Sequence, residues 1–131
     1  MSKQILHTDS APGAIGPYSQ ATRIADFVFT SGQLGIDPAT GKLADGVQAQ
    51  AAQSMRNIGA ILAAAGLDYA AIVKTTIFVK DLADFKTVND VYASFFEGDY
   101  PARSCVQVAA LPKGGLVEIE CIAMGGNEEH V

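Results

Sequence analysis

The sequence is poor in the residues that build metal and thiol chemistry. Two cysteines and two histidines occur in 131 residues. Cys105 and Cys121 have no metal-like spacing, and in strand-like runs a reduced thiol usually acts as a small buried hydrophobe. Cations are scarce as well: nine lysines and arginines stand against fourteen acids, a net charge of −5. That balance works against binding a phosphate backbone, so nucleic acid is not an expected partner. No apolar run reaches the roughly 20 residues that cross a bilayer. The N-terminus has no basic stretch followed by an apolar one, so a soluble, cytoplasmic protein is expected. No repeat, low-complexity tract or long linker divides the chain, which reads as a single domain over residues 1–131. A chain of this size buries roughly two-thirds of its unfolded surface, enough for a core without staples. With 49% hydrophobic and 18% charged residues, only the stretch 125–131 reads as disordered.

What is present is a mixed order of strands and helices. Residues 3–7 suggest a short strand, followed by a loop over 8–20 with turn pairs at Pro12-Gly13 and Gly16-Pro17. Residues 21–24 and 27–34 read as strands joined by a tight turn at Ala25-Asp26. Over 47–65 the pattern turns helical, with Val47, Ala51, Met55, Ile58, Leu62 and Ala65 at three- and four-residue steps and Gly66 in the place of a C-terminal cap. Such a helix runs about 29 Å, enough to cover a sheet face. Residues 72–79 form a branched, strand-like run. Asp84 is placed to cap a second helix with a buried stripe at Phe85, Val88, Val91 or Tyr92, and Phe95. Strands at 101–108 and 117–123 complete an α+β two-layer sandwich: a mixed sheet of about six strands with two helices on one face.

The last two strands carry the clearest chemical signal. Alternation puts Arg103, Cys105 and Gln107 on one side of the first, and Glu118, Glu120 and Ile122 on one side of the second. If the strands pair, those faces can meet, and a guanidinium with a carboxylate on rigid strands can bind a small acid and handle a proton. The plainer alternative is a solvated face with a structural ion pair. A simple hairpin through 109–116 would align Val108 with Val117 and set Arg103 nearer Ile122 than Glu118. The two need not touch, and Glu118 can belong to a different cleft. With both helices on one face, the other is expected to hold Arg103, Cys105, Gln107 and Glu118. That mixture is too polar for a core and too apolar for plain solvent exposure, which implies association through that face.

The chain resembles the Rid family (reactive intermediate deaminase, the RidA or YjgF type) over nearly its whole length. The resemblance rests on Gly16-Pro17-Tyr18-Ser19-Gln20, Thr30-Ser31-Gly32-Gln33, the run from Val73 to Leu82, Asp84-Phe85, Val88-Asn89, Pro101-Ala102-Arg103-Ser104 and Val117-Glu118-Ile119-Glu120. The segment Glu97-Gly98-Asp99-Tyr100 is shorter than the family pattern. The resemblance implies a homotrimer of chorismate-mutase-like subunits with a site in each intersubunit cleft. It also implies hydrolysis of 2-imino or 2-enamino acids, toxic products of pyridoxal-phosphate enzymes, to 2-oxo acids and ammonia. By the same resemblance Arg103 holds the substrate carboxylate and Glu118 serves the water and proton steps, while Tyr18, Ser31, Asn89 and Cys105 line the cleft.

The residue types suit those roles. A guanidinium makes two parallel hydrogen bonds to a carboxylate, which a lysine cannot do. Glu118 can pass protons from water to departing ammonia if burial or Glu120 raises its pKa toward neutrality. No metal or organic cofactor is required. Read without the family, Tyr18 is equally a loop anchor, Ser31 a turn residue and Asn89 a surface residue. A Cys105 nucleophile is disfavoured, because neither His7, on the first strand's surface, nor His130, in the tail, is placed to serve as its base. Two other readings remain: a non-catalytic binder of small 2-oxo acids, and an RNA-acting translation inhibitor.

Overall fold

The computed structural model describes residues 2–125; residues 126–131 of the expected tail, His130 among them, lie outside them. Its elements are β1 (Gln4–Leu6), β2 (Ala21–Ile24), β3 (Phe27–Thr30), β4 (Gln33–Leu34), α1 (Gly46–Ala64), β5 (Ile72–Val79), α2 (Phe85–Ala93), β6 (Ala102–Gln107) and β7 (Val117–Met124). One sheet has the order β1-β2-β3-β7-β5-β6, with β4 also paired to β7. Only β5 and β6 run parallel; the other pairs are antiparallel. The two helices pack on one face, as the element order implied.

The expected strand over 27–34 is broken. Ser31-Gly32 leaves the ladder between β3 and β4, and both pieces pair with β7. The break is held from below by polar groups of α1: Ser54 Oγ donates to the Gln33 carbonyl, and Asn57 Nδ2 donates to the carbonyls of Leu34 (3.1 Å) and Ile36 (2.9 Å). Around these, Ala51, Met55, Ile58, Ile61 and Leu62 join Val28, Ile77, Val79, Val117 and Ile119 in the core. Helix α1 ends as its sequence requires. Gly66 takes φ +75°, Gly66 N–H donates to Ala63 and Leu67 N–H to Leu62, and the guanidinium of the buried Arg23 donates to the Ala65 carbonyl (3.2 Å). Paired termini and a cation at the carbonyl end satisfy groups a helix otherwise leaves open.

Two expectations about the C-terminal half are corrected. Asp84 makes no side-chain cap bond at the start of α2; Asp81 instead accepts from Ala83 N–H (2.9 Å) and caps the short 3₁₀ turn Leu82–Asp84 that leads in. In α2 only Val88 and Tyr92 are buried, and Phe85 is 38% exposed. More consequentially, β6 and β7 do not pair. Strand β5 lies between them, and Arg103 sits beside Thr75, which sits beside Cys121. Residues paired across a sheet share a face. Arg103, Cys105 and Gln107 therefore lie on the helix side with Thr75, Ile77 and Val79, while Glu118 and Glu120 lie with Phe78 and Thr76 on the open side.

Of the four residues expected on the open face, only Glu118 is there. The rest of that face is more apolar than the sequence suggested: Ile24, Phe27, Phe29, Val106 and Met124 are each 40–48% exposed.

Candidate active site

Glu118 projects from the open face into a cavity of about 540 Å³ whose wall includes Ile15, Tyr18, Ser31, Gly32 and Gln33. The Ser31-Gly32 break creates room for it. A Cβ on Gly32 would stand 2.5 Å from Glu118 Oε1 and 2.7 Å from its Cδ, so only glycine permits this approach. Ser31 Oγ donates to the Ser19 carbonyl (2.6 Å) and Ser31 N–H to that of Gln20 (2.8 Å), tying the loop that carries Tyr18 to the end of β3. Tyr18 is half exposed, its ring over Gly16 and its hydroxyl accepting from Ile15 N–H (3.4 Å). It is both anchor and wall. Burial holds the Glu118 carboxyl above the ordinary carboxylate range, and Glu120, its neighbour on the same face, adds to the rise.

Arg103 occupies a second cavity of about 390 Å³, walled by Asn89, Tyr92, Tyr100 and Pro101. Its guanidinium carbon lies 5.3 Å from the Phe85 ring centroid and 5.4 Å from that of Tyr92, and Nη1 donates to Asn89 Oδ1 (2.5 Å). Among the described residues no carboxylate pairs with it. Phe85, Asn89 and Tyr92 follow one another at four- and three-residue steps, so one face of α2 presents ring, amide and ring to the cation. That spacing was available in the sequence; assigning the two aromatics to the buried stripe hid the face they share with Asn89. The 97–100 loop closes the rim through Tyr100, whose ring meets Phe96 edge-on at 6.0 Å.

Six residues were expected at an intersubunit cleft, and within one chain they fall in separate places. Tyr18, Ser31 and Glu118 belong to the first cavity and Asn89 and Arg103 to the second, on the opposite face of the sheet. Cys105 lines neither. It lies two residues from Arg103 on the helix side, packed against the core, and burial pushes its thiol up more than Arg103 pulls it down. A protonated, partly buried thiol is a poor nucleophile. His7 Nε2 lies 2.9 Å from Asp9 Oδ1 in an exposed loop. Among the described residues no group of three or more potential metal ligands occurs, and no helix is long and apolar enough to cross a membrane.

A cation in one cavity and a half-buried acid in the other, on a two-layer frame, is the residue set of the resemblance noted above. The model of the family described as "Endoribonuclease L-PSP" matches residues 8–125. The chain belongs to that family. It is 54% identical over 125 residues, 95% of this chain and 91% of the relative, to a Bos taurus protein named 2-iminobutanoate/2-iminopropanoate deaminase. Two solved structures superpose at TM-score 0.91. One is E. coli TdcF with bound serine, 50% identical, covering 94% of this chain and 99% of the other. The second is RidA from the Antarctic bacterium Psychrobacter, 49% identical, covering 93% and 99%. The Rid resemblance and the sandwich architecture are thereby borne out.

Proposed function

We propose that this protein hydrolyses small 2-imino and 2-enamino acids to 2-oxo acids and ammonia, at clefts between subunits of a homotrimer. The observation that carries the reading is the separation of Arg103 and Glu118 onto opposite faces of one chain, each in its own cavity. A second copy laid on the apolar open face brings the Arg103 cavity of one chain to the Glu118 cavity of the next. The named activity of relatives near 50% identity supports the chemistry. The family's name points instead to RNA cleavage, and the charge balance of nine cations to fourteen acids opposes it.

In this reading Arg103 grips the substrate carboxylate with the donors that Asn89 does not occupy, and the flanking rings keep the fork flat. The iminium carbon is then set against Glu118. Glu118 takes a proton from water as its oxygen bonds to that carbon. The resulting carbinolamine accepts a proton at nitrogen from the same carboxyl, and the C–N bond breaks to release ammonia as the Glu118 carboxylate takes the hydroxyl proton and the carbonyl forms. A carboxyl raised by burial suits both directions of transfer, and such acid–base help is worth roughly 10² to 10⁴ in rate. The substrate decays slowly in water unaided, so this assistance suffices.

Coupling a threonine dehydratase to the protein and following imine decay tests the activity. Arg103→Ala abolishes it and Arg103→Lys does not restore it, because a point charge cannot orient the carboxylate. Mixing tests the shared site. When Arg103→Ala and Glu118→Gln chains are refolded together at equal ratio, roughly a quarter of the clefts combine a native arginine with a native glutamate from different chains. Activity returns to about that fraction. Mixed trimers with no recovered activity would remove the intersubunit site.

A further inference from the structure

Behind the Arg103 cavity lies a contact that the proposed chemistry does not use. Tyr92 is 3% exposed and Thr75 fully buried, and their hydroxyl oxygens are 2.7 Å apart. Thr75 is the direct neighbour of Arg103 in the β5–β6 register. The backbone therefore ties Thr75 to Arg103 on one side, and the hydroxyl contact ties it to the ring beside Arg103 on the other. Threonine is stiff at χ1, so its Oγ1 is a fixed point on the sheet rather than a mobile partner. A phenylalanine and a valine of nearly the same shapes would fill this space, and replacing both partners of a buried hydrogen bond by apolar groups costs little stability. Packing alone gives no reason for two buried hydroxyls here.

We propose that the Thr75–Tyr92 hydrogen bond is a positioning device for substrate binding. It fixes the plane of the Tyr92 ring, which together with Phe85 and Asn89 fixes the plane of the Arg103 fork. A free arginine loses rotamer entropy when it is held. A clamp that has already restricted it leaves less to lose when the carboxylate arrives. Burial raises the Tyr92 phenol above its ordinary value, with the Thr75 bond and Arg103 opposing. The hydroxyl thus stays neutral within the contact. The inference rests on the imine-deaminase reading and assigns Thr75 and Tyr92 a part in its specificity for a planar carboxylate.

The test compares Tyr92→Phe, Thr75→Val, their double variant and Thr75→Ser with the native protein. Four quantities are measured: KM and kcat in the dehydratase-coupled assay, the Kd for 2-oxobutanoate by calorimetry, and the midpoint of thermal unfolding. Each single variant raises KM and Kd about tenfold with kcat changed far less, because the carboxylate grip acts on ground and transition states alike. Thr75→Ser keeps the hydroxyl and recovers native-like KM. In the double variant no buried hydroxyl is left unpaired, so thermal stability returns toward native while KM and Kd stay raised. A structural role predicts that KM recovers together with stability. That result, or unchanged KM and Kd in both single variants, overturns the proposal. A native protein that neither turns over imine nor binds 2-oxobutanoate instead overturns the deaminase reading on which it rests.

Discussion

At the scale of single residues, Glu118 and Gly32 form one unit, a carboxyl and the gap that admits it. Gly32→Ala forces the carboxyl aside. Because the obstructed atoms are the far end of a flexible side chain, folding stability falls little, but a displacement near 1 Å costs roughly 100-fold in turnover. Unfolding and coupled-assay measurements on the same preparation separate the two effects. The raised Glu118 carboxyl also has a thermodynamic sign. The folded chain holds this proton more tightly than the unfolded chain, so stability falls as pH rises from the ordinary glutamate value through the raised one. Glu118→Gln is therefore the more stable protein above that window, and its advantage disappears below it. The comparison is made by unfolding in an Arg103→Ala background, where no guanidinium offsets the shift. The glutamine still binds 2-oxobutanoate but cannot exchange a proton, and turnover is lost. Cys105→Ala keeps most of its rate. A dead Cys105→Ala beside an active Glu118→Gln would place covalent thiol chemistry at the centre.

At the scale of elements, the site loop depends on the polar side of α1. Asn57 is fully buried and its amide serves two carbonyls, those of Leu34 and Ile36. Asn57→Ala leaves both without that donor and opens a small void, at a cost of about 2–3 kcal/mol in denaturant unfolding. Activity falls as well, because the Ser31-Gly32 break loses its support. The span of α1 was legible to within a residue, and β5 in full, since apolar steps of three and four, a terminal glycine and a branched run are local signals. The break at Ser31-Gly32 was legible only as a turn signal, not as a return to the same neighbouring strand. The position of the second piece is held by hydrogen bonds from a helix more than twenty residues away.

At the scale of the molecule, the open face of the sheet is the surface through which the proposed trimer assembles. Phe27 and Phe29 pack at 6.4 Å on that face with Ile24 and Met124 around them. Phe29→Glu puts a charge into this patch while leaving the helix-side core untouched. Solution mass then falls from trimer to monomer, and activity goes with it although the fold persists by circular dichroism. Loss of assembly with full activity would show that one chain suffices. The amino-acid sequence by itself determined the class of fold, the positions of the helices and the pair of side chains proposed to carry the chemistry. Propensity, periodicity and functional-group chemistry are properties of short stretches of chain. Only the tertiary structure decided on which side of the sheet Arg103 and Glu118 stand. Placing β5 between β6 and β7 is a non-local pairing, and because side chains alternate along every strand, the register of that pairing sets the face of each residue.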